Sequence, residues 1–272
     1  MPAHDTRRPG VAPFTQRTPR VVAARRLLRR RERDEAGRFL AEGPQAVREA
    51  LRAGAVLELF GTPSALSRHA DLAEQAGRVS PVTDDGLAAL AETVAPQGLV
   101  AVCGVVDVSL AAALAPRPRL VAVLAGIRDP GNAGTVLRTA DAAGAGTVVF
   151  AGAAVDPYNG KCVRASAGSL FHVDVVRAGE PAGVLPQLRA AGLAVLAADP
   201  YGDADLDELA DAGELRRPTA WLFGSEAHGL PGAVADAADR RVRVPLYGGA
   251  ESLNLAAAAA VCLYASARAQ RS

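Results

Sequence analysis

Apolar runs along this chain are short, and they alternate with stretches in which apolar positions recur at helical spacing. The second half is the more regular. Runs at 120–125, 147–151, 171–176, 194–198, 220–223 and 242–245 read as strands, with helices at about 132–143, 161–169, 181–191 and 206–212. The run LVAVLA at 120–125 has no polar interruption, which suits a strand buried on both faces of a parallel sheet. Strands alternating with helices predict an α/β fold with a mostly parallel sheet.

The first half predicts a smaller α/β unit. Its strands are expected at 38–42, 55–60 and 99–106, and its helices after Gly43-Pro44, over 63–76, and over 84–91 behind a Thr83 cap. Residues 107–118 shift in composition and end in Pro-Arg-Pro, which marks a boundary. The expected organisation is a flexible basic arm at 1–19, a domain at 20–107, a linker at 108–118 and a larger domain at 119–272.

Charge alters this picture at one place. The net charge is only +1, yet eleven Arg lie between Arg7 and Arg38 against Glu32, Asp34 and Glu35. Residues 20–35 favour a helix with a narrow apolar stripe at Val21, Ala24 and Leu28. Arg25, Arg26, Arg29, Arg30 and Arg33 are expected to cover much of the rest. Such a face suits a polyanion, and a solvated arm is the plainer alternative.

Other classes are disfavoured. Cys103, Cys162 and Cys262 are scattered with no CxxC, which argues against a disulfide framework or a zinc site. The beginning of the chain lacks the apolar stretch of a secretory leader, and the longest apolar run, 255–265, is too short to span a bilayer. A cytoplasmic location is expected.

Three polar turns carry the candidate chemistry. The first, Gly126 to Thr135, has Pro130-Gly131 at a tight bend and Asn132 placed to cap a helix, with Arg138 six residues on. The second, Gly224 to Gly229, holds Glu226 and His228. The third, Tyr247 to Asn254, has Gly248 and Gly249 before Ser252, Leu253 and Asn254. Ser252 is the natural cap of the Ala-rich helix that follows, which reads as deeply buried along its length. No GxGxxG, no GK[ST] and no GxSxG is present, so a dinucleotide fold, a P-loop and a hydrolase elbow are not indicated.

Together these turns resemble the motifs of the SpoU (TrmH) family of RNA ribose 2′-O-methyltransferases, in the SPOUT superfamily. The first motif is matched by Asp129-Pro130-Gly131-Asn132-Ala133-Gly134-Thr135 with Arg138 and Thr139. The second is matched by residues 222–230 (LFGSEAHGL), and the third by Val244-Pro245-Leu246 with Ser252-Leu253-Asn254-Leu255. Ser166-Ala167-Gly168 also fits. Residues 20–107, with Phe39-Leu40-Ala41-Glu42-Gly43, look like an L30e-like RNA substrate-binding domain.

The resemblance implies a SPOUT domain with a deep trefoil knot at 119–272, S-adenosylmethionine as cofactor, and a homodimer with its site at the subunit interface. It implies cofactor contacts from Leu222, Gly224, Val244, Leu246, Ser252, Leu253 and Asn254, and a reacting centre of Asn132, Arg138, Glu226, Ser252 and Asn254. RNA contacts are expected from Arg25, Arg26, Arg29, Arg30, Arg128, Lys161 and Arg164. No metal is expected, because the sulfonium already activates the methyl group. The family role of general base falls on Arg138. A guanidinium hardly deprotonates, so binding the neighbouring phosphate and stabilising a developing alkoxide is its simpler task. The implied substrate is 23S ribosomal RNA. The alternatives are a transfer RNA 2′-O-methyltransferase and a non-catalytic L30e-like RNA-binding protein.

Overall fold

Strands form where apolar runs are bounded by Gly, Pro and Thr. The computed structural model of the protein describes residues 12–271. It separates into two units, one ending at Gly104 and one beginning at Val105. Of the arm expected at 1–19, residues 1–11 lie outside the described residues.

In the first unit the strands are β1 (Arg38–Glu42), β2 (Val56–Gly61), β3 (Val79–Pro81) and β4 (Leu99–Gly104). They form a sheet in the order β1-β4-β2-β3. β4 runs antiparallel to both β1 and β2, and β3 runs parallel to β2. β3 is too short to give a sequence signal. The end of the expected arm is not free, because Phe14 bridges to Val82, with Phe14 N–H donating to Pro81 O at 2.8 Å. Thr83 caps the helix Asp84–Ala88 as expected, accepting from Gly86 N–H at 3.1 Å.

The helix expected over 20–35 is two helices, Pro19–Arg26 and Arg30–Ala36. Leu27, Leu28 and Arg29 make i→i−3 bonds that tighten and end the first. The carbonyls of Leu27 and Leu28, in the turn that follows it, accept from Arg33 Nη1, both at 3.0 Å. Arg33 is therefore buried as a structural cap, and not part of the basic surface. Val21, Ala24 and Leu27 pack on Leu40, Phe60, Val100 and Val102. The helix expected over 63–76 likewise breaks at His69, into Pro63–Arg68 and Ala70–Gln75.

The second unit holds β5 (Leu120–Ala125), β6 (Thr147–Ala151), β7 (Asp174–Ala178), β8 (Ala194–Ala198), β9 (Ala204–Asp205), β10 (Thr219–Phe223) and β11 (Arg240–Arg243). All seven are parallel, in the order β7-β6-β5-β10-β8-β11-β9. β5, β6 and β10 are buried at every position, which accounts for their unbroken apolar sequence. The segment expected as a linker at 108–118 instead carries a helix, Leu110–Leu114. Its Leu110, Ala113 and Leu114 sit in this unit's core with Val121, Val149 and Val195.

The last helix, Leu255–Ala269, buries one face and not its whole length. Ala256, Ala259, Cys262, Leu263, Ser266 and Ala267 point inward, while Val261 and Tyr264 are exposed. It is tied down by polar bonds. Buried Trp221 Nε1 donates to Ser266 Oγ at 2.9 Å. Gln270 Nε2 donates to the carbonyls of Arg119 and Arg217, and Arg271 donates to that of Ala143.

Candidate active site

The strand order reverses at β5. The chain goes from β5 to β6 and β7 on one side, and later returns to place β10 on the other. β10 lies in register with β5, Phe223 beside Leu124. The turns that follow these two strands therefore leave the same edge of the sheet, where open α/β sheets form a crevice.

The turn after β5 feeds the helix Pro130–Ala143. Its cap is Asp129, not Asn132. Asp129 Oδ1 accepts from Asn132 N–H at 2.8 Å, with Pro130 at the first helical position. The Asp-Pro pair was the signal for this cap. Lys161 Nζ donates to Asp129 Oδ2 at 2.8 Å. These hydrogen bonds, that from Lys161 foremost, lower the pKa of Asp129 from its ordinary value. Capping by Asp129 leaves the side chain of Asn132 for other work. Gly134 lets this helix sit against the helix Gly160–Ala165, because a Cβ there would lie 2.4 Å from Cys162 O.

The turn after β10 is closed by a pair of backbone bonds between Ser225 and Gly229, at 3.0 and 2.8 Å. Gly224 has no alternative, since its Cβ would stand 2.1 Å from Gly229 C. This tight loop presents Glu226, and Asn132 Nδ2 donates to Glu226 Oε1 at 2.9 Å. His228 lies exposed on the same loop.

The turn after β11 supplies the third member. Asn254, not Ser252, caps the last helix. Its Oδ1 accepts from Ala256 N–H at 2.9 Å and Ala257 N–H at 3.4 Å, and its Nδ2 donates to Asn132 Oδ1 at 3.3 Å. Both amides thus point the same way. Helix N–H groups donate to Asn254, Asn254 to Asn132, and Asn132 to the carboxylate of Glu226. Such a chain polarises each link in the same sense.

Other expected residues fall in different places. Arg138 is exposed on the helix Pro130–Ala143, opposite buried Val136, Leu137 and Ala140, and makes no ion pair or hydrogen bond among the described residues. Ser252 is exposed beside Asn254. Leu222 is wholly buried in β10. Val244, Leu246 and Leu253 line a hollow of about 310 Å³ with Pro245, Tyr247 and Val261, and Asp207 borders it from the helix Leu206–Asp211. Leu253 lines the hollow and the next residue, Asn254, joins the amide chain, so the two features meet at adjacent positions in the sequence.

Of the expected RNA contacts, Arg25, Arg26, Arg29 and Arg30 are all exposed on the first unit, with Arg26 paired to Glu32 and Arg30 to Asp34. On the second unit Arg128 is exposed, Lys161 is held by Asp129, and Arg164 is half-buried.

Comparison with known proteins gives concordant matches. The model of the SpoU rRNA Methylase family matches residues 119–264. That of an MRM3-like substrate binding domain matches residues 18–101. The 23S rRNA (guanosine(2553)-2'-O)-methyltransferase RlmP of Bacillus subtilis is 35% identical over 240 residues, 88% of this chain and 92% of that protein. The 23S rRNA (guanosine-2'-O-)-methyltransferase RlmB of Bordetella pertussis is 32% identical over 201 residues, 72% of this chain and 80% of that protein. The crystal structure of the SpoU methyltransferase AviRb from Streptomyces viridochromogenes with AdoMet has a TM-score of 0.80 and 31% identity, covering 93% of this chain and 98% of that one. An AdoMet-bound rRNA methyltransferase from Sinorhizobium meliloti has a TM-score of 0.78 and 30% identity, covering 94% and 97%.

Proposed function

We propose, since this chain belongs to the SpoU rRNA methylase family, that it transfers a methyl group from S-adenosylmethionine to a ribose 2′-hydroxyl of 23S ribosomal RNA. The observation that carries this reading is the directed chain Asn254–Asn132–Glu226, assembled from three distant turns at the strand-order reversal.

The hollow suits the cofactor. It is small, mostly apolar and edged by backbone turns, at the lower end of the size range of ligand pockets. Val244, Leu246 and Leu253 would enclose the adenosine end, with the turn at Gly224 and the Ser252–Asn254 segment beside it. When bound, the cofactor supplies a methyl group already activated by a sulfonium. What remains for the protein is positioning and charge.

In this reading, Glu226 is an acceptor-only carboxylate aimed by Asn132, and it receives a hydrogen bond from the ribose hydroxyl. Asn132 and Asn254 hold that acceptor still. Arg138 has a guanidinium uncommitted among the described residues, so it is available to the adjacent phosphate and to the oxygen that develops charge. Ser252 adds a hydroxyl at the rim. Arg128, Lys161 and Arg164 bind backbone phosphate on the catalytic unit. Arg25, Arg26, Arg29 and Arg30 do so on the first unit, which serves as the L30e-like substrate-binding domain at 20–107.

The working enzyme is a homodimer. The exposed apolar side chains of Leu246, Tyr247, Leu253, Val261 and Tyr264, on the last turn and last helix, support that assembly. A trefoil knot, formed where the last segment threads beneath the turns after β10 and β11, is part of the same proposal. So is a cytoplasmic location, where the ribosomal substrate resides.

The test is transfer of label from S-adenosylmethionine to separated ribosomal and transfer RNA, followed by digestion to nucleosides. Label in a 2′-O-methyl nucleoside of 23S RNA is the expected result. Label confined to transfer RNA, or none in either fraction or in assembled particles, would overturn it.

A further inference from the structure

The cofactor hollow has one charged residue in its wall. Asp207, at the start of the helix Leu206–Asp211, faces Val244, Leu246 and Leu253 across it. Tyr247 OH donates to Asp207 Oδ2 at 2.6 Å, which joins the loop after β11 to that helix at the hollow's edge. The other oxygen, Oδ1, has no partner among the described residues. The remainder of the wall is apolar side chain or glycine and proline backbone. Asp207 is exposed, so its unpaired oxygen is an acceptor open to a donor that enters the hollow.

The two oxygens have different roles. Oδ2 is fixed by the phenol, which sets the plane of the carboxylate. Oδ1 is then available to a hydroxyl. A ribose diol is the natural complement of such a group, as in dinucleotide sites where an acidic residue binds ribose. Nothing in the three recognised motifs includes Asp207, which lies between β9 and β10.

We propose that Asp207 is a cofactor-binding residue whose carboxylate accepts hydrogen bonds from the adenosine part of S-adenosylmethionine, with Tyr247 as the positioning residue that orients it across the hollow. The inference rests on the functional reading above, because it takes the hollow as the cofactor's. Adenosine is common to S-adenosylmethionine and S-adenosylhomocysteine, so Asp207 stabilises both alike. Tyr247 acts only through Asp207, so its loss has the smaller effect and adds little once Asp207 is removed.

Isothermal titration of the full-length protein with each ligand tests this. The expected result for Asp207→Ala is a loss of about tenfold in affinity for both ligands, as for one hydrogen bond to a charged group. Tyr247→Phe is expected to lose about threefold, and the double variant no more than Asp207→Ala alone. Asp207→Asn, which retains an acceptor for Tyr247, gives a loss of the same sign should the alanine variant fail to fold. Unchanged affinity in both Asp207 variants would overturn the proposal. So would a loss for S-adenosylmethionine alone, since the carboxylate would then face the sulfonium. A wild-type protein that binds neither ligand would overturn the functional reading itself, whereas wild-type binding with indifferent variants would overturn only the role of Asp207.

Discussion

Asn132 and Glu226 stand 94 residues apart in sequence, and the Nδ2 of one donates to the Oε1 of the other at 2.9 Å. The contact exists because β5 and β10 are neighbours in register, so that their turns emerge side by side. Replacing Asn132 with Ala removes the link without removing the helix cap, which uses only its backbone N–H. Methyl transfer is expected to fall by about 10²-fold or more, as for loss of one preorganised donor. Single-turnover transfer of label checks this, with cofactor affinity measured alongside and expected to stay within about threefold.

Asn254 has two functions that can be separated. Asn254→Asp keeps an oxygen for the N–H groups of Ala256 and Ala257 but has no amide to give Asn132. Thermal unfolding should then match wild type while transfer falls. Asn254→Ala loses the cap as well, and should be destabilised by about 1 kcal/mol. A large stability loss in the Asp variant would refute the separation.

The role proposed for Arg138 lies in the reaction and not in the fold, in keeping with its exposure and its lack of a partner among the described residues. Arg138→Ala should abolish transfer, leave cofactor affinity within about tenfold, and leave the melting temperature unchanged. An active variant would exclude it from the reacting centre.

Asp129 gives a pH-dependent signature. Its folded pKa lies below the ordinary value of 3.8, chiefly through the hydrogen bond from Lys161. A depressed carboxylate contributes stability above its unfolded pKa and loses it as pH falls through the folded one. The stability difference between wild type and Asp129→Asn is therefore expected to be constant above pH ~5 and to shrink below pH ~4. Denaturant titrations across that range measure it. A difference that stays constant down to pH ~2 would contradict the ion pair's role.

The basic face should be tested by substitution and not by deletion. Val21, Ala24 and Leu27, on and just after the first helix, are buried in the first unit's core, so removing 1–35 would also damage that core. Changing Arg25, Arg26, Arg29 and Arg30 to Gln leaves those residues in place. Each lost phosphate contact should flatten the dependence of log affinity on log salt by about 0.7 to 0.9. An unchanged slope in RNA-binding assays would remove this face from the interface.

Composition, periodicity and turn chemistry determined a good deal of this protein without coordinates. Strands such as β5 and β6 were legible because burial on both faces imposes continuous apolar runs, a local property of sequence. The Thr83 cap was legible for the same reason, since a cap is a contact three residues long. The proposed site residues stand in motifs visible in the sequence, but their geometry was not legible there. Which Asn caps a helix and which reaches across to a partner depends on neighbours from other strands. Sequence favoured Asn132 and Ser252 as caps, and the structure assigns Asp129 and Asn254. Arg33 looked like surface until the first helix ended early and left the carbonyls of Leu27 and Leu28 for it to satisfy. Segment 108–118 looked like a linker because its composition shifts and it ends in Pro-Arg-Pro, yet Leu110 and Leu114 find a core made of residues far along the chain. The hydrogen bond between Tyr247 and Asp207 left no local trace at all. Strand order is the common cause. Periodicity records whether a residue is buried, while only the tertiary arrangement decides against what.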